Sequence, residues 1–344
     1  MLMRICVLLI ISFVFMPLQA FAKQNNDSGE LHWLRQLEGV SGFSLLLQHR
    51  ASAGFIKADG ATGRNRNKLS DVAAQRDALW VLRRAIIEQD AKKVEAAVKA
   101  MEFAFRYQNK DGSFKNGRGA SKKKAVTADA FFLQAFGNVY LLIEESSFKE
   151  RFIKRLDRLK PQLEQSMRWL YANEHNLLRM DHKAPNRLLF DGIAFLFNGY
   201  ILKNEEYIKV GEKFVDAALA LKDDQGFLKE HGGYDSSYQA VCNYNLLRIS
   251  SYAQSPDLIK KVRDAAIEGT HWQLTRIEKS GRVKVAGNAR TGLGQEKLLG
   301  KIKDVNYSEV ALSLYYFSMA TGSQEAVSIA NKVVEYALHN YARK

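Results

Sequence analysis

The stretch Gln108-Asn109-Lys110-Asp111-Gly112-Ser113-Phe114 decides the fold, because its pattern returns twice further along the chain. Asp223-Asp224-Gln225-Gly226-Phe227 and Glu278-Lys279-Ser280-Gly281-Arg282-Val283 have the same order: a polar turn, a glycine, then an apolar residue that can pin the loop onto a helix bundle. Polar, glycine-rich segments begin about 50–65 residues apart, at residues 54–68, 109–124, 173–186, 223–233 and 280–304. Such a spacing predicts a repeat architecture.

The sequence between these loops predicts helices. The chain has only four prolines, and proline is the strongest helix breaker. Apolar residues recur near i, i+3, i+4 and i+7 over Leu31–Arg50, Val72–Ile87, Val94–Tyr107, Ala128–Ile143, Leu163–Tyr171, Leu188–Leu202, Val210–Leu221, Tyr238–Tyr252, Val305–Met319 and Ala326–Tyr341. The alternating stretch Arg282–Val285 is the one strand signal, short enough to be an arm of a loop hairpin.

Each interval between loops holds two helices joined by a much tighter turn, at residues 88–90, 144–148, 203–204, 255–256 and 322–323. Long loops on one side and tight turns on the other define antiparallel helical hairpins. A single hairpin cannot bury its apolar face alone, so the hairpins must stack. The sequence therefore predicts an all-α domain over residues 23–344, with its long loops on one face.

The three similar loops resemble the outer-to-inner loops of the six-hairpin (α/α) toroid families. Those families include polysaccharide lyases of the heparinase II/III and alginate-lyase type, unsaturated glucuronyl hydrolases and, more distantly, terpenoid cyclases. The resemblance is one of architecture and covers nearly all of residues 23–344. It implies an (α/α) toroid of about five to six antiparallel hairpins, and five hairpins plus the helix Leu31–Arg50 fit the sequence. An open α-solenoid is the alternative.

The N-terminus reads as a signal peptide over residues 1–22. Arg4 precedes an apolar run from Ile5 to Met16, and Ala20-Phe21-Ala22 supplies the small-x-small pattern of a cleavage site. A membrane-spanning helix needs about 20 apolar residues, more than this run contains. We therefore expect export to the periplasm or beyond the cell, with no integral membrane segment after cleavage. Of the two cysteines, only Cys242 would remain, in an apolar setting that favours a buried thiol.

The charge balance favours an anionic partner. The chain carries 51 Lys and Arg against 37 Asp and Glu, for a formal charge of +14. In an exported protein an acidic polysaccharide is favoured over nucleic acid. Cationic residues occur in every long loop, so a toroid would gather them around one opening, above the helix N-termini that already favour anions. Among them we expect substrate-binding roles for Arg64, Arg66, Arg118, Arg187 and Arg290.

Two loops carry the densest mixed chemistry. Glu230 to Gln239 contains His231, Tyr234 and Tyr238, which can transfer protons once tuned, around the pair Gly232-Gly233. These three are the candidate catalytic residues, and Asp235 is a candidate for substrate binding or helix capping. A basic cleft would favour tyrosinate over phenol, and Tyr234 and Tyr238, four residues apart, would share a face of a continuing helix. In the second loop, Asn186 is a natural N-cap. The resemblance to toroid lyases implies that Asn186 and Arg187 would neutralise a uronate carboxylate while Tyr238 or His231 removes the adjacent proton.

Other chemistries fit less well. His175 and His182 have no tightly spaced partner, so neither a metal nor another cofactor is expected. A glycosidase would need two carboxylates across the scissile bond, and the inner-helix starts offer candidates at Asp71, Asp129, Asp191, Asp235 and Glu309. Each of these can equally be a favourable charge at a helix N-terminus. The open alternatives are a lyase, a glycoside hydrolase acting on uronate-containing glycans, and a non-catalytic polysaccharide-binding or assembly factor.

Overall fold

The computed structural model describes residues 29–53, 56–63, 65, 68–114, 122–293, 296–298 and 300–341. Its helices are α1 Glu30–Gln36, α2 Ser41–Ala53, a 3₁₀ helix Val72–Asp77, α3 Ala78–Ile87, α4 Ala91–Phe105, α5 Lys122–Glu145, α6 Lys149–Asp157, α7 Lys160–Ala172, α8 Glu174–Asp181, α9 Pro185–Leu202, α10 Glu205–Leu219, α11 Ser236–Tyr252, α12 Pro256–Thr275, α13 Tyr307–Thr321 and α14 Gln324–Tyr341. A two-stranded antiparallel ribbon pairs β1 Lys297–Leu298 with β2 Lys301–Ile302.

The helices close into a ring. Helices α3, α5, α9, α11 and α13 pack in that order on the inside, while α4, α6 with α7, α10, α12 and α14 return on the outside. Helix α2 contacts α3, α13 and α14, and so closes the gap between the first and last hairpins. The protein is therefore an all-α (α/α) toroid, as the sequence predicted, rather than an open solenoid.

The N-terminal helices form a reduced sixth hairpin. Leu31–Arg50 was predicted to be one helix, but α1 ends at Gln36 and α2 begins at Ser41. The break contains Gly39, a poor helix former. It lets α1, whose Leu31, Trp33 and Leu34 are buried, turn into the centre of the ring while α2 remains on the outside.

Four loops lock the hairpins together in the same way. The glycine of each loop has a positive φ: Gly60 at 95°, Gly112 at 93°, Gly226 at 93° and Gly281 at 85°. A Cβ on Gly60, Gly112 or Gly281 would lie 2.2 Å from a backbone oxygen of the following outer helix. Only glycine permits both this conformation and this approach. The sequence pattern thus recurs once more than predicted, at Gly60.

Side chains of the inner helices hold the same loops from the other side. Two residues after each glycine, a backbone N–H donates to a side chain at the start of the next inner helix or of the 3₁₀ helix before it: Thr62 to Gln75 Oε1 at 2.9 Å, Phe114 to Asp129 Oδ2 at 3.1 Å, Leu228 to Gln239 Oε1 at 2.7 Å and Val283 to the Tyr307 hydroxyl at 3.5 Å. Asp129, a candidate glycosidase carboxylate, therefore has a structural role.

Three of the long loops meet at the end of the ring where the inner helices begin. His231 N donates to Lys183 O at 2.7 Å, and Ala289 N donates to Tyr234 O at 2.8 Å. We call this end the loop face. The predicted loop 173–186 is mostly helical, because α8 spans Glu174–Asp181. Arg282–Val285 forms only the isolated bridge Ile277–Val283, and the ribbon lies further on, at β1 and β2.

Helix α1 closes the opposite end. The buried Glu30 carboxylate accepts hydrogen bonds from Arg83 Nη2 at 2.7 Å, Asn138 Nδ2 at 2.7 Å and the Tyr316 hydroxyl at 2.5 Å. These three partners lie in the later halves of α3, α5 and α13, away from the loop face. The axial cleft therefore has a floor, and its accessible side chains are those of the loop face.

Candidate functional site

The start of α11 fixes the site. Asp235 is the N-cap of this helix, and its Oδ1 accepts from Ser237 N at 3.0 Å and Tyr238 N at 3.1 Å. Its Oδ2 accepts from Arg290 N at 3.0 Å and Thr291 N at 2.7 Å, which ties the loop 280–304 to the helix. The buried Asp235 carboxylate is thus occupied by four backbone bonds, and capping rather than ligand contact accounts for it.

Tyr238 lies at the centre of a cluster of charges. Its hydroxyl donates to Glu296 Oε2 at 2.7 Å and accepts from Lys303 Nζ. The guanidinium of Arg290 lies 4.6 Å from the centroid of the Tyr238 ring, and Lys303 Nζ lies 4.2 Å from it. Arg290 also pairs with Glu296 at 3.0 Å. Lys303 and Glu296 complete the environment of a predicted catalytic residue.

The protonation state of Tyr238 differs from the expectation. A basic cleft was expected to favour tyrosinate, but the ring is only 8 % exposed. Burial raises the pKa of the Tyr238 phenol, and the opposing effect of Arg290 is smaller. The hydrogen bond to Glu296 favours the protonated form as well. Tyr238 is therefore a phenol at neutral pH, suited to donate a proton rather than to remove one.

Glu230 and Glu296 have opposite pKa shifts around the same arginine. Glu230 is buried, its Oε1 accepts from Arg290 Nη1, and its Oε2 has no partner among the described residues. Burial raises the pKa of Glu230 to about 7 despite Arg290. Burial acts the same way on Glu296, but the bond from Tyr238 and the cations Lys303 and Arg290 outweigh it, and its pKa is lowered. Such opposite pKa shifts leave Glu230 able to donate a proton near neutral pH, while Glu296 is ionised.

His231 is the accessible group of the site. Its backbone is left-handed, with φ 52°, and its N–H bond to Lys183 holds the side chain at the loop face with 50 % exposure. Partial burial lowers the pKa of His231, and the cations Arg290, Arg187 and Lys183 lower it further. The imidazole is therefore neutral near pH 7 and able to accept a proton.

Tyr234 does not join this cluster. It was expected to share a helical face with Tyr238, but it precedes α11, which begins at Ser236. Its ring packs 5.5 Å from Trp272 of outer helix α12, and its hydroxyl donates to Ala286 O at 3.1 Å. Tyr234 therefore braces the loop against the outer layer.

The second predicted loop contributes Arg187. Its Nη1 donates to Asp181 Oδ1 at 3.1 Å, and the side chain is 38 % exposed. Asn186 is not the N-cap, because Ala184 takes that position and Pro185 begins α9. The Asn186 side chain is 5 % exposed, with its Oδ1 unpaired among the described residues. Asp191 is also fully buried, and burial followed by the neighbouring Asp181 raises its pKa.

The remaining candidates divide into two groups. Arg64, Arg66 and Arg118 lie outside the described residues. Asp71 caps the 3₁₀ helix by accepting from Ala73 N at 3.0 Å. Glu309 lies in the first turn of α13 and is part-exposed. No group of three or more His, Cys, Asp or Glu side chains in the described part of the chain could hold a metal ion. Cys242 is buried, as predicted.

Among the described residues, one helical segment, Ala125–Glu145, is long and apolar enough to cross a membrane. Most of its apolar window, 78 %, is buried inside the protein. Its position in the inner ring accounts for this composition, because an inner helix is covered by neighbours on all sides.

No protein-family model and no curated protein matches the sequence. Among solved structures, the chain is similar to a crystal structure of D-mannose isomerase, with 12 % sequence identity and a TM-score of 0.47. The match covers 83 % of this chain and 79 % of that one. This similarity gives no information about the substrate of this chain.

Proposed function

We propose that the protein cleaves an acidic polysaccharide by β-elimination at the loop face. The observation that carries the proposal is the pairing of unlike proton-transfer groups around Arg290. His231 is a half-exposed imidazole that is neutral near pH 7, and Tyr238 is a phenol that burial keeps protonated. A base and an acid are thus both in the state that elimination requires.

In the proposed step, the His231 imidazole removes the proton α to a uronate carboxylate. That proton is weakly acidic, so the substrate carboxylate must be neutralised as enolate-like negative charge develops. Arg187 and Lys183, whose positive charges lower the pKa of His231, lie at the same opening and would neutralise that carboxylate. The C4–O bond then breaks, the C4–C5 double bond forms, and Tyr238 gives its proton to the leaving oxygen. Lys303, which donates to the Tyr238 hydroxyl, stabilises the phenolate until solvent returns the proton.

Glycoside hydrolysis is the second candidate, and the opposite pKa shifts of Glu230 and Glu296 favour it. Glu230, with a pKa of about 7, would protonate the leaving oxygen. Glu296, which is ionised, would act as the nucleophile or as the base that activates water. Both carboxylates form ion pairs with Arg290. They could contact the substrate only if Arg290 left these ion pairs and moved towards the substrate.

Two substitutions separate these mechanisms. On a uronate polymer that the wild type cleaves, we expect His231→Ala and Tyr238→Phe each to lower turnover by at least about a hundredfold. The absorbance of the new double bond reports elimination, whereas new reducing ends without that absorbance report hydrolysis. The matched controls are His182→Ala, an exposed histidine on the same face, and Tyr234→Phe. Full activity in both test variants would exclude the elimination mechanism.

We further propose that the chain is exported, to the periplasm or beyond the cell, after cleavage of residues 1–22. This rests on the charged, apolar and small-residue pattern of the N-terminus. N-terminal sequencing of protein from fractionated cells should begin at Lys23. A chain that retains Met1 in the cytoplasmic fraction would contradict this proposal.

A further inference from the structure

Two arginines near the loop face, Arg50 and Arg76, have no carboxylate partner among the described residues. The guanidinium carbon of Arg50, near the end of α2, lies 4.9 Å from the centroid of the Trp80 ring. That of Arg76, in the 3₁₀ helix, lies 5.0 Å from the centroid of Phe131. An aromatic face supports each guanidinium, yet no salt bridge within the described ranges occupies its N–H groups. Arg83, Arg187 and Arg290 differ, since each binds a carboxylate. Arg248 of α11 has no salt bridge in the described part of the chain either, but its Nη1 and Nη2 already donate to Asn245 Oδ1 at 2.8 Å and Gln134 Oε1 at 3.2 Å.

Arg50 has an unsatisfied donor as well. Its Nε is buried and has no hydrogen-bond partner in the described part of the chain. A buried charged donor without a partner is costly. A position that keeps such a donor is one where a ligand can supply the missing acceptor. The planar fork of arginine suits a carboxylate in particular, because it can donate two parallel hydrogen bonds.

The short first hairpin accounts for this position. Helix α1 has seven residues and lies at the floor with the later halves of the inner helices. In the ranges that the structure describes, no inner helix fills the loop side of this sixth position. Arg50 of α2 therefore reaches Trp80 of α3 across a place that an inner helix fills elsewhere in the ring.

Among the described residues, Glu309 is a carboxylate on which both arginines act. Partial burial raises its pKa, and Arg50, Arg76 and Lys303 oppose that effect. None of the three forms a salt bridge within 4 Å of it in the described chain. Three cations thus act on one carboxylate without an ion pair to it among the described residues, which leaves an excess of positive charge. Lys303 also acts on Glu296, so it connects this interior group with the site around Tyr238.

We infer that Arg50 and Arg76 form a second carboxylate-binding subsite inside the ring. It takes the carboxylate of a uronate unit, while Glu309 accepts hydrogen bonds from hydroxyl groups of the same sugar. The identity of the ligand rests on the proposed function, and the subsite extends that function: the enzyme holds one acidic sugar in the interior while the reaction takes place at His231.

Calorimetric titration with monomeric galacturonate and glucuronate tests the subsite. Wild-type protein should bind at least one of them, and Arg50→Gln and Arg76→Gln should each weaken binding by about tenfold or more. Arg76 is exposed, so its substitution leaves the fold intact even if the Arg50 variant does not fold. Arg168→Gln, an exposed arginine on outer helix α7, is the matched control and should bind as wild type does.

Other arms of the experiment identify the ligand chemistry. Galactose, which lacks the carboxylate, should bind at least about tenfold more weakly than galacturonate. His231→Ala should keep its affinity for the monomers, because the subsite is separate from that residue. Unchanged binding in both arginine variants, no uronate binding by the wild type, or equal affinity for sulfate would each overturn the inference. Loss of binding in Arg76→Gln without any turnover of polymers would uphold the subsite and reject only the proposed reaction.

Discussion

Gly112→Ala tests whether the repeated glycine locks the toroid together. At φ 93° an alanine pays the cost of a left-handed backbone, about 1–2 kcal/mol. Its Cβ would also lie 2.2 Å from Gln165 O and 2.7 Å from Gln165 C on α7, so the loop must move away. That movement disturbs Phe114, whose ring packs 5.0 Å from Phe132 and 5.5 Å from Phe105. Overpacking of this kind costs about 1–3 kcal/mol more.

Gly322→Ala is the matched control, because Gly322 has φ 77° and no atom lies within 4 Å of the position that a Cβ would take there. It carries the backbone strain without the collision. Urea unfolding followed by circular dichroism should show Gly112→Ala losing about 2–5 kcal/mol and Gly322→Ala about 1–2 kcal/mol. If the two losses agree within about 0.5 kcal/mol, the contact with α7 contributes nothing and the locking argument is wrong.

Three further predictions concern charge. Glu30→Ala leaves Arg83 unpaired in the core and should destabilise the protein by about 3–5 kcal/mol in urea unfolding; a loss below about 1 kcal/mol would show that α1 does not anchor the floor. Folding raises the pKa of Glu230 to about 7, so the free energy of unfolding of the wild type should fall as pH rises from about 4.5 to 7. Over that range Glu230→Gln should become about 3 kcal/mol more stable relative to wild type. Identical pH profiles of stability for the two proteins would contradict this. Binding of acidic glycans should weaken as salt rises, since exposed charges are screened within about 10 Å at 0.1 M salt, and binding that is insensitive to salt would exclude a charge-based site.

The fold was largely readable from the sequence because its determinants are local. The glycine loops, tight turns and helical periods each lie within a short stretch, and the structure confirms the all-α toroid they predicted. The departures depend on distant contacts. The break between α1 and α2 is set by burial of α1 against four inner helices, and no local period reports that burial.

The site was only partly readable for the same reason. His231 and Tyr238 stood out because they lie together in one loop. Glu296 and Lys303 were missed as partners, since 58 and 65 residues separate them from Tyr238. The sequence also could not show that burial, rather than nearby cations, governs the phenol of Tyr238. The sequence did offer a reason to consider Glu230, because it adjoins the predicted catalytic residue His231. Its burial, which raises its pKa, arises only in the folded loop and could not be predicted from the sequence.

Incubation of the purified protein with a panel of uronate polymers tests the central claim most directly. Ultraviolet absorbance should rise with at least one polymer as the C4–C5 double bond forms, and the rise should disappear in His231→Ala while His182→Ala retains it. New reducing ends without the absorbance would support hydrolysis by Glu230 and Glu296 instead. No cleavage of any polymer by the wild type would contradict the proposed reaction.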